Sequence, residues 1–177
     1  MEDNYGTLFL SMSTALSSPI RTEEPVSTFE SPSLPGLRYS FTILALTNPP
    51  ELLQKRDAES LVFIPITGGT VSGVLEGHVV PGGGDWATER NDDAWGVEAR
   101  YQIRTTAGAL IDVWNIGVLR NLEGESADAD NMGYFMTTPV FRTATPQLLW
   151  LTRSVFVGRA SLRDGGTAIE IFEVLPA

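Results

Sequence analysis

The chain has 177 residues and a formal charge of −10, from 22 acidic and 12 basic side chains, with one histidine and no cysteine. That length fits a single domain with a core of its own. Disulfides and thiolate chemistry are excluded by the missing cysteines, and one histidine cannot build a histidine-cluster metal site.

The arginines are scattered singly along an acidic chain, which speaks against a nucleic-acid partner. The opening MEDN is acidic, and the apolar piece Leu8 to Leu16 is interrupted by Ser11, Ser13 and Thr14, so no secretory signal is read. No apolar run approaches membrane-spanning length. The expected setting is the cytoplasm, with no membrane contact.

Residues 1–35 are rich in serine and proline and show no sustained period, which predicts an irregular N-terminal segment. Within it, Thr7–Met12 could add an edge strand. From residue 36 to 177 the pattern changes to alternation and short apolar runs rich in Val, Ile, Phe and Tyr. Strands are predicted at 37–47, 60–67, 70–80, 95–106, 109–117, 134–143, 148–162 and 167–175. Gly68-Gly69 reads as the turn between the second and third. Asp164-Gly165-Gly166 reads as a hairpin turn between the last two. Helical signal is weak: Pro50–Arg56 could form a turn or two, and Glu125–Met132 one more. About eight strands joined by short antiparallel turns predict an all-β fold. The closest form is a lipocalin-shaped β-barrel, whose closure removes exposed edges, with a β-sandwich as the alternative.

Side chains alternate along a strand, so faces can be sorted by parity. In 97–105 one face carries Val97, Ala99, Tyr101 and Ile103, and the other Glu98, Arg100, Gln102 and Arg104. In 109–116 the matching sets are Ala109, Ile111, Val113, Asn115 and Leu110, Asp112, Trp114, Ile116. The apolar sets face inward, which makes Tyr101 and Asn115 polar groups aimed into the barrel, where they require partners or a ligand.

The segment Gly82-Gly83-Gly84-Asp85 is not a phosphate cradle, because no helix follows it and Asp85, Glu89, Asp92 and Asp93 would repel an anion. It reads as a tight strand connection that presents Asp85 and Trp86 at the barrel mouth. Asp128-x-Asp130-Asn131 lacks the glycine and glutamate spacing of a calcium loop. His78 falls on the outer face, so no Ser/His/Asp triad can be assembled. No metal site and no cofactor are expected.

The order of motifs is similar to that of the domain-of-unknown-function 3237 family. The segments that carry the likeness are ITGGTVSG (66–73), GHVVPGGGDW (77–86), ARYQIRTTAGALI (99–111), Asn115-Ile116-Gly117, YFMTTPVFRT (134–143), LWLTRSVFVGRA (149–160) and IEIFEVLP (169–176). The resemblance spans about 37–175 and implies a single β-barrel domain, often oligomeric, with no agreed activity and no cofactor. By position it points to Asp85, Arg100, Tyr101, Asn115, Thr137 and Thr143 as site residues. Thr152 stands where asparagine is usual, and Met136 and Val140 where arginine is usual, which predicts a more apolar site.

Together these readings predict a cofactor-free enzyme acting on an apolar or aromatic, secondary-metabolite-like molecule by isomerisation, cyclisation or dehydration. Asp85 and Tyr101 are the candidate catalytic pair. Trp86, Phe135 and Trp150 would shape the substrate, while Asn115, Thr137 and Thr152 would orient its oxygens. The alternatives are a carrier or sensor with the same pocket, and a structural subunit whose barrel is filled by its own aromatics. A homodimer is the expected assembly.

Overall fold

The structure, a computed structural model, describes residues 33–57, 59–121 and 133–177. The readings made for most of 1–35, including Thr7–Met12, and for Glu125–Met132 lie outside those residues. The strands are β1 (Gly36–Thr47), β2 (Glu51–Arg56), β3 (Glu59–Gly73), β4 (Gly77–Glu89), β5 (Ala94–Thr105), β6 (Leu110–Arg120), β7 (Tyr134–Arg142), β8 (Phe156–Arg163) and β9 (Gly166–Leu175). A 3-10 helix, Pro146–Thr152, stands between β7 and β8. Among the described residues no helix is long and apolar enough to cross a membrane.

The sheet runs β1-β9-β8-β7-β6-β5-β4-β3-β2 and closes on itself where β1 also pairs with β3. The result is an eight-stranded antiparallel barrel with β2 as one extra strand, so the barrel holds and the sandwich does not. β2 continues along the edge of β3 that β1 has just left: Thr47 pairs with Ile66, and Glu51 with Phe63.

Three sequence boundaries are corrected. Pro50–Arg56 is no helical turn, because ELLQKR extends along the free half of β3 and tertiary pairing overrides its helix propensity. Gly68-Gly69 is a bulge within one long strand, not a hairpin turn. There Leu46 pairs with Gly68 and Thr47 with Ile66, and any side chain at Gly69 would strike the Leu44 carbonyl. The segment 148–162 is not one strand, since Pro146 starts a 3-10 helix and β8 begins only at Phe156.

Inward residues change size along the barrel. At one end Phe41, Ile43, Ile103, Ile111, Val113 and Ile171 are essentially fully buried. Phe141 packs edge-on against Phe41 and Phe156 at 5.6 and 5.2 Å between ring centroids, a favourable arrangement for aromatic rings. Further along the same strands the inward positions become Ala45, Ala99, Asn115, Gly117 and Thr137. Large side chains fill one end; small and polar ones leave the other hollow.

Candidate functional site

The hollow end is a cavity of about 830 Å³. Its walls come from every barrel strand, and its rim includes Asn48–Pro50 after β1 and the β8–β9 hairpin, Arg163–Gly166. Ala45, Ile66, Ala160 and Ile169 form an apolar side. Asp85, Tyr101, Asn115 and Thr137, on four successive strands, form a polar one.

Asp85 lies inside β4, not at the end of a loop. Gly82-Gly83-Gly84 belongs to the strand, and three residues, Pro81 to Gly83, arch over one residue of β5 between the pairs Val80–Gln102 and Gly84–Arg100. That one residue is Tyr101. A side chain at Gly83 would sit 2.6 Å from both the Arg100 carbonyl and the Tyr101 Cβ, so only glycine lets the arch rest there. The carboxylate of Asp85 accepts a hydrogen bond from the Glu98 amide at 2.9 Å. The β4–β5 pairing lapses between Asp85–Ala99 and Thr88–Gly96, which leaves that amide to the side chain.

Burial raises the Asp85 pKa from 3.8 to about 6; the Glu98 amide pulls it down, and the Glu98 charge adds to the rise. Tyr101 is pushed upward as well, chiefly by burial and further by the Asp85 charge. It therefore stays a neutral phenol, able to donate. Its Oη, the Asn115 Oδ1 and the Thr137 Oγ1 are buried without a hydrogen-bond partner. Buried polar atoms are nearly always satisfied, by protein, water or ligand. Thr137 is clasped from both sides: a Cβ on Gly117 would come 2.5 Å from its Cγ2, and one on Gly158 would strike its Oγ1. Among the described residues no group of three His, Cys, Asp or Glu side chains could hold a metal.

Of the side chains singled out in the sequence, Asp85, Tyr101, Asn115, Phe135 and Thr137 meet on this cavity. The others do not. Trp86 is on the outer face, its ring 5.0 Å from that of Phe63, because its neighbour Asp85 takes the inward position. Trp150 sits on the 3-10 helix and packs against Phe41 and Phe156 at the filled end. Thr152 ends that helix, exposed, with its hydroxyl on the Leu149 carbonyl. Arg100 faces outward, paired with Glu98 and stacked over Trp114. Thr143 bonds the Leu110 carbonyl. Met136 and Val140 alternate with Thr137 and point away from the cavity, so they add nothing to its apolar character.

Sequence reasoning did not name Ala45, Ile64, Ile66, Ala160, Leu162 or Ile169, which line the cavity. Inward parity together with small size was the available signal, visible in Ala45 and Ala160.

The model of the DUF3237 family, described as proteins of unknown function, matches residues 35–174. The chain belongs to that family. A protein from Bradyrhizobium diazoefficiens, described only as a UPF0311 protein, is 32% identical over 146 residues, covering 78% of this chain and 95% of its own. A crystal structure of a conserved protein of unknown function from Rhodopseudomonas palustris is similar at a TM-score of 0.74 and 31% identity, covering 81% of this chain and all of that one (100%). A β-barrel-like protein from Acinetobacter baumannii is similar at a TM-score of 0.72 and 27% identity, over 81% of this chain and 98% of that one. A structure described as an enzyme from Penicillium herquei shares the fold at a TM-score of 0.66 and 22% identity, over 82% of this chain and 98% of that one.

Proposed function

We propose that the protein is an acid–base enzyme for a small, mainly apolar or aromatic molecule that carries several oxygens along one edge. The observation that carries this reading is the row of three unpartnered buried atoms, on Tyr101, Asn115 and Thr137, beside a carboxyl group of raised pKa. A ligand hydroxyl donating to the Asn115 Oδ1, which can only accept, and a ligand oxygen beside each of the Tyr101 and Thr137 hydroxyls would satisfy all three. The apolar side of Ala45, Ile66, Ala160 and Ile169 would hold the body of the molecule. The open cavity also disfavours a barrel filled by its own aromatics.

In this mechanism the ionised Asp85 removes a proton from the bound molecule, and the Tyr101 phenol donates to the oxygen on which charge develops. Returning a proton from the Asp85 carboxyl, which exchanges with solvent, at another atom gives an isomer. Returning it to a departing hydroxyl releases water, and to an atom of a newly closed ring gives a cyclised product. Asn115 and Thr137 fix the oxygens so that one atom faces the carboxylate. A chain of the same fold being described as an enzyme is in keeping with this reading.

The test is incubation of the protein with small-molecule extracts in deuterated water, followed by mass spectrometry. A compound that takes up solvent deuterium, or changes mass by loss of water, with the protein but not with Asp85→Asn supports the proposal. Retention of an unchanged compound by both proteins would sink it and favour the second reading, a carrier whose ligand satisfies the same three atoms without reacting.

A further inference from the structure

We infer that the outer face of β6 and β7 is the contact surface of a homodimer. Outward positions on a soluble barrel are expected to be polar, yet here they read Trp114, Ile116 and Val118 on β6 and Met136 and Val140 on β7. These are neighbours across the ladder: Trp114 stands opposite Val140, Ile116 opposite Thr138, and Val118 opposite Met136. Val155, just before β8, extends the patch, and Ile116, Val140 and Val155 are 40%, 46% and 68% exposed. A single exposed apolar side chain is ordinary, but a contiguous group of them marks a contact surface.

The patch is edged by charge on all sides. Asp112 and Arg142 pair at 3.3 Å at one end, and Arg120 lies 4.8 Å over the Tyr134 ring at the other. Arg100 and Glu98 pair at 3.0 Å along β5, and Arg159 and Glu170 at 2.6 Å along β8 and β9. An apolar centre inside a polar rim is the usual anatomy of a protein interface. The rim carries both signs in weak, exposed pairs, so the face does not solicit a strongly charged ligand, while its charges can exchange partners with those of a second copy.

The occupant that this face fits is a second copy of the chain. Take a two-fold axis through Ile116, with the two β6 strands stacked antiparallel. Ile116 then meets itself, Trp114 meets the second copy's Val118, and Asp112 approaches the second copy's Arg120. Positions equidistant from Ile116 are thus apolar with apolar, then acidic with basic, which is the self-complementarity that an isologous contact requires. Two sheets stacked this way lie about 10 Å apart and inclined by about 30°. The register therefore holds best near the axis, where the apolar residues are, and the longer charged side chains span the divergence beyond it.

Sedimentation equilibrium of the full chain at micromolar concentration should give twice the 19.2 kDa chain mass. Ile116→Glu sets two like charges on the axis and should weaken dimerisation on the order of 100-fold. Asp112→Arg and Arg120→Asp should each weaken it, and the two together should restore part of the loss. Because the chain has no cysteine, Ile116→Cys treated with a short bismaleimide should give a covalent dimer. Ser72→Cys, outward on β3 and three strands away around the barrel, should not. Circular dichroism checks that each variant is folded; should Ile116→Glu fail, Val140→Lys and the cross-link carry the test. A monomeric wild-type chain overturns the proposal. So does a dimer that survives the charged variants, or cross-linking that is as efficient from Ser72→Cys.

Discussion

Asp85 and Tyr101 face the same cavity from adjacent strands, and the charge of the first opposes ionisation of the second. Burial poises the first near neutrality, and burial together with the Asp85 charge holds the second as a neutral donor. Environments that push two titratable groups apart are a common basis for assigning acid and base.

The raised Asp85 pKa makes stability depend on pH. Its folded value is about 6 against 3.8 when unfolded, so between those values the folded state binds more protons. Stability from this group is therefore greatest at the acid end and falls as pH rises from about 4 through 6. The full effect is at most about 3 kcal/mol. Denaturant melts of wild type and Asp85→Asn should converge near pH 4, with the variant the more stable at pH 7. A pH-independent difference between the two would refute the assignment. In turnover, the rate should rise with pH through about 6 as the base form appears.

The three unpartnered atoms give the opposite pairing of stability with function. Tyr101→Phe and Thr137→Val each remove a buried oxygen that has no hydrogen bond, and the folded protein should gain about 1 kcal/mol from each change. Binding of the ligand should weaken by roughly 10-fold or more for each, since the matching ligand oxygen then lacks its partner. Thermal melts and titration calorimetry on the same samples check both signs.

Parity along 97–105 and 109–116 was enough to aim Tyr101 and Asn115 inward, because both strands are regular and the turn between them fixes the register. Parity failed where the backbone is irregular. The triple glycine reads as a loop that frees both residues after it, which would bring Trp86 to the pocket together with Asp85. In the strand only Asp85 points inward. Trp150 was lost for another reason: a short apolar run such as LLWL suits a strand or a buried helix equally well, and Pro146 decided the matter locally. The cavity itself was the least legible feature. It arises because small residues on separate strands, Ala45, Ala99 and Ala160, come together around one hollow, and that coincidence exists only once every register is set.

The aromatic assignments can be separated by substitution. Phe135→Ala removes a cavity wall and should weaken binding of an apolar ligand by about 10-fold. Trp86→Ala should leave affinity unchanged, because its ring lies outside on Phe63. It should still lower stability by about 1 kcal/mol through the lost ring contact. Equal losses of affinity in both variants would contradict the placement of Trp86.

Gly158 and Thr137 provide the sharpest internal check. Gly158→Ala would drive its Cβ into the Thr137 hydroxyl and bring it 2.9 Å from the Ile169 Cγ2. Overpacking of this kind should destabilise the fold by roughly 1–3 kcal/mol. It should also turn the Thr137 oxygen out of the cavity, so ligand affinity falls together with stability. If the hydroxyl is the main obstruction, adding Thr137→Ala should recover part of that stability, with a coupling of about 1 kcal/mol or more in a double-mutant cycle. Affinity should stay low in the double variant, since the oxygen that faces the ligand is gone. Additive losses would mean that Ile169, and not Thr137, limits the space at Gly158.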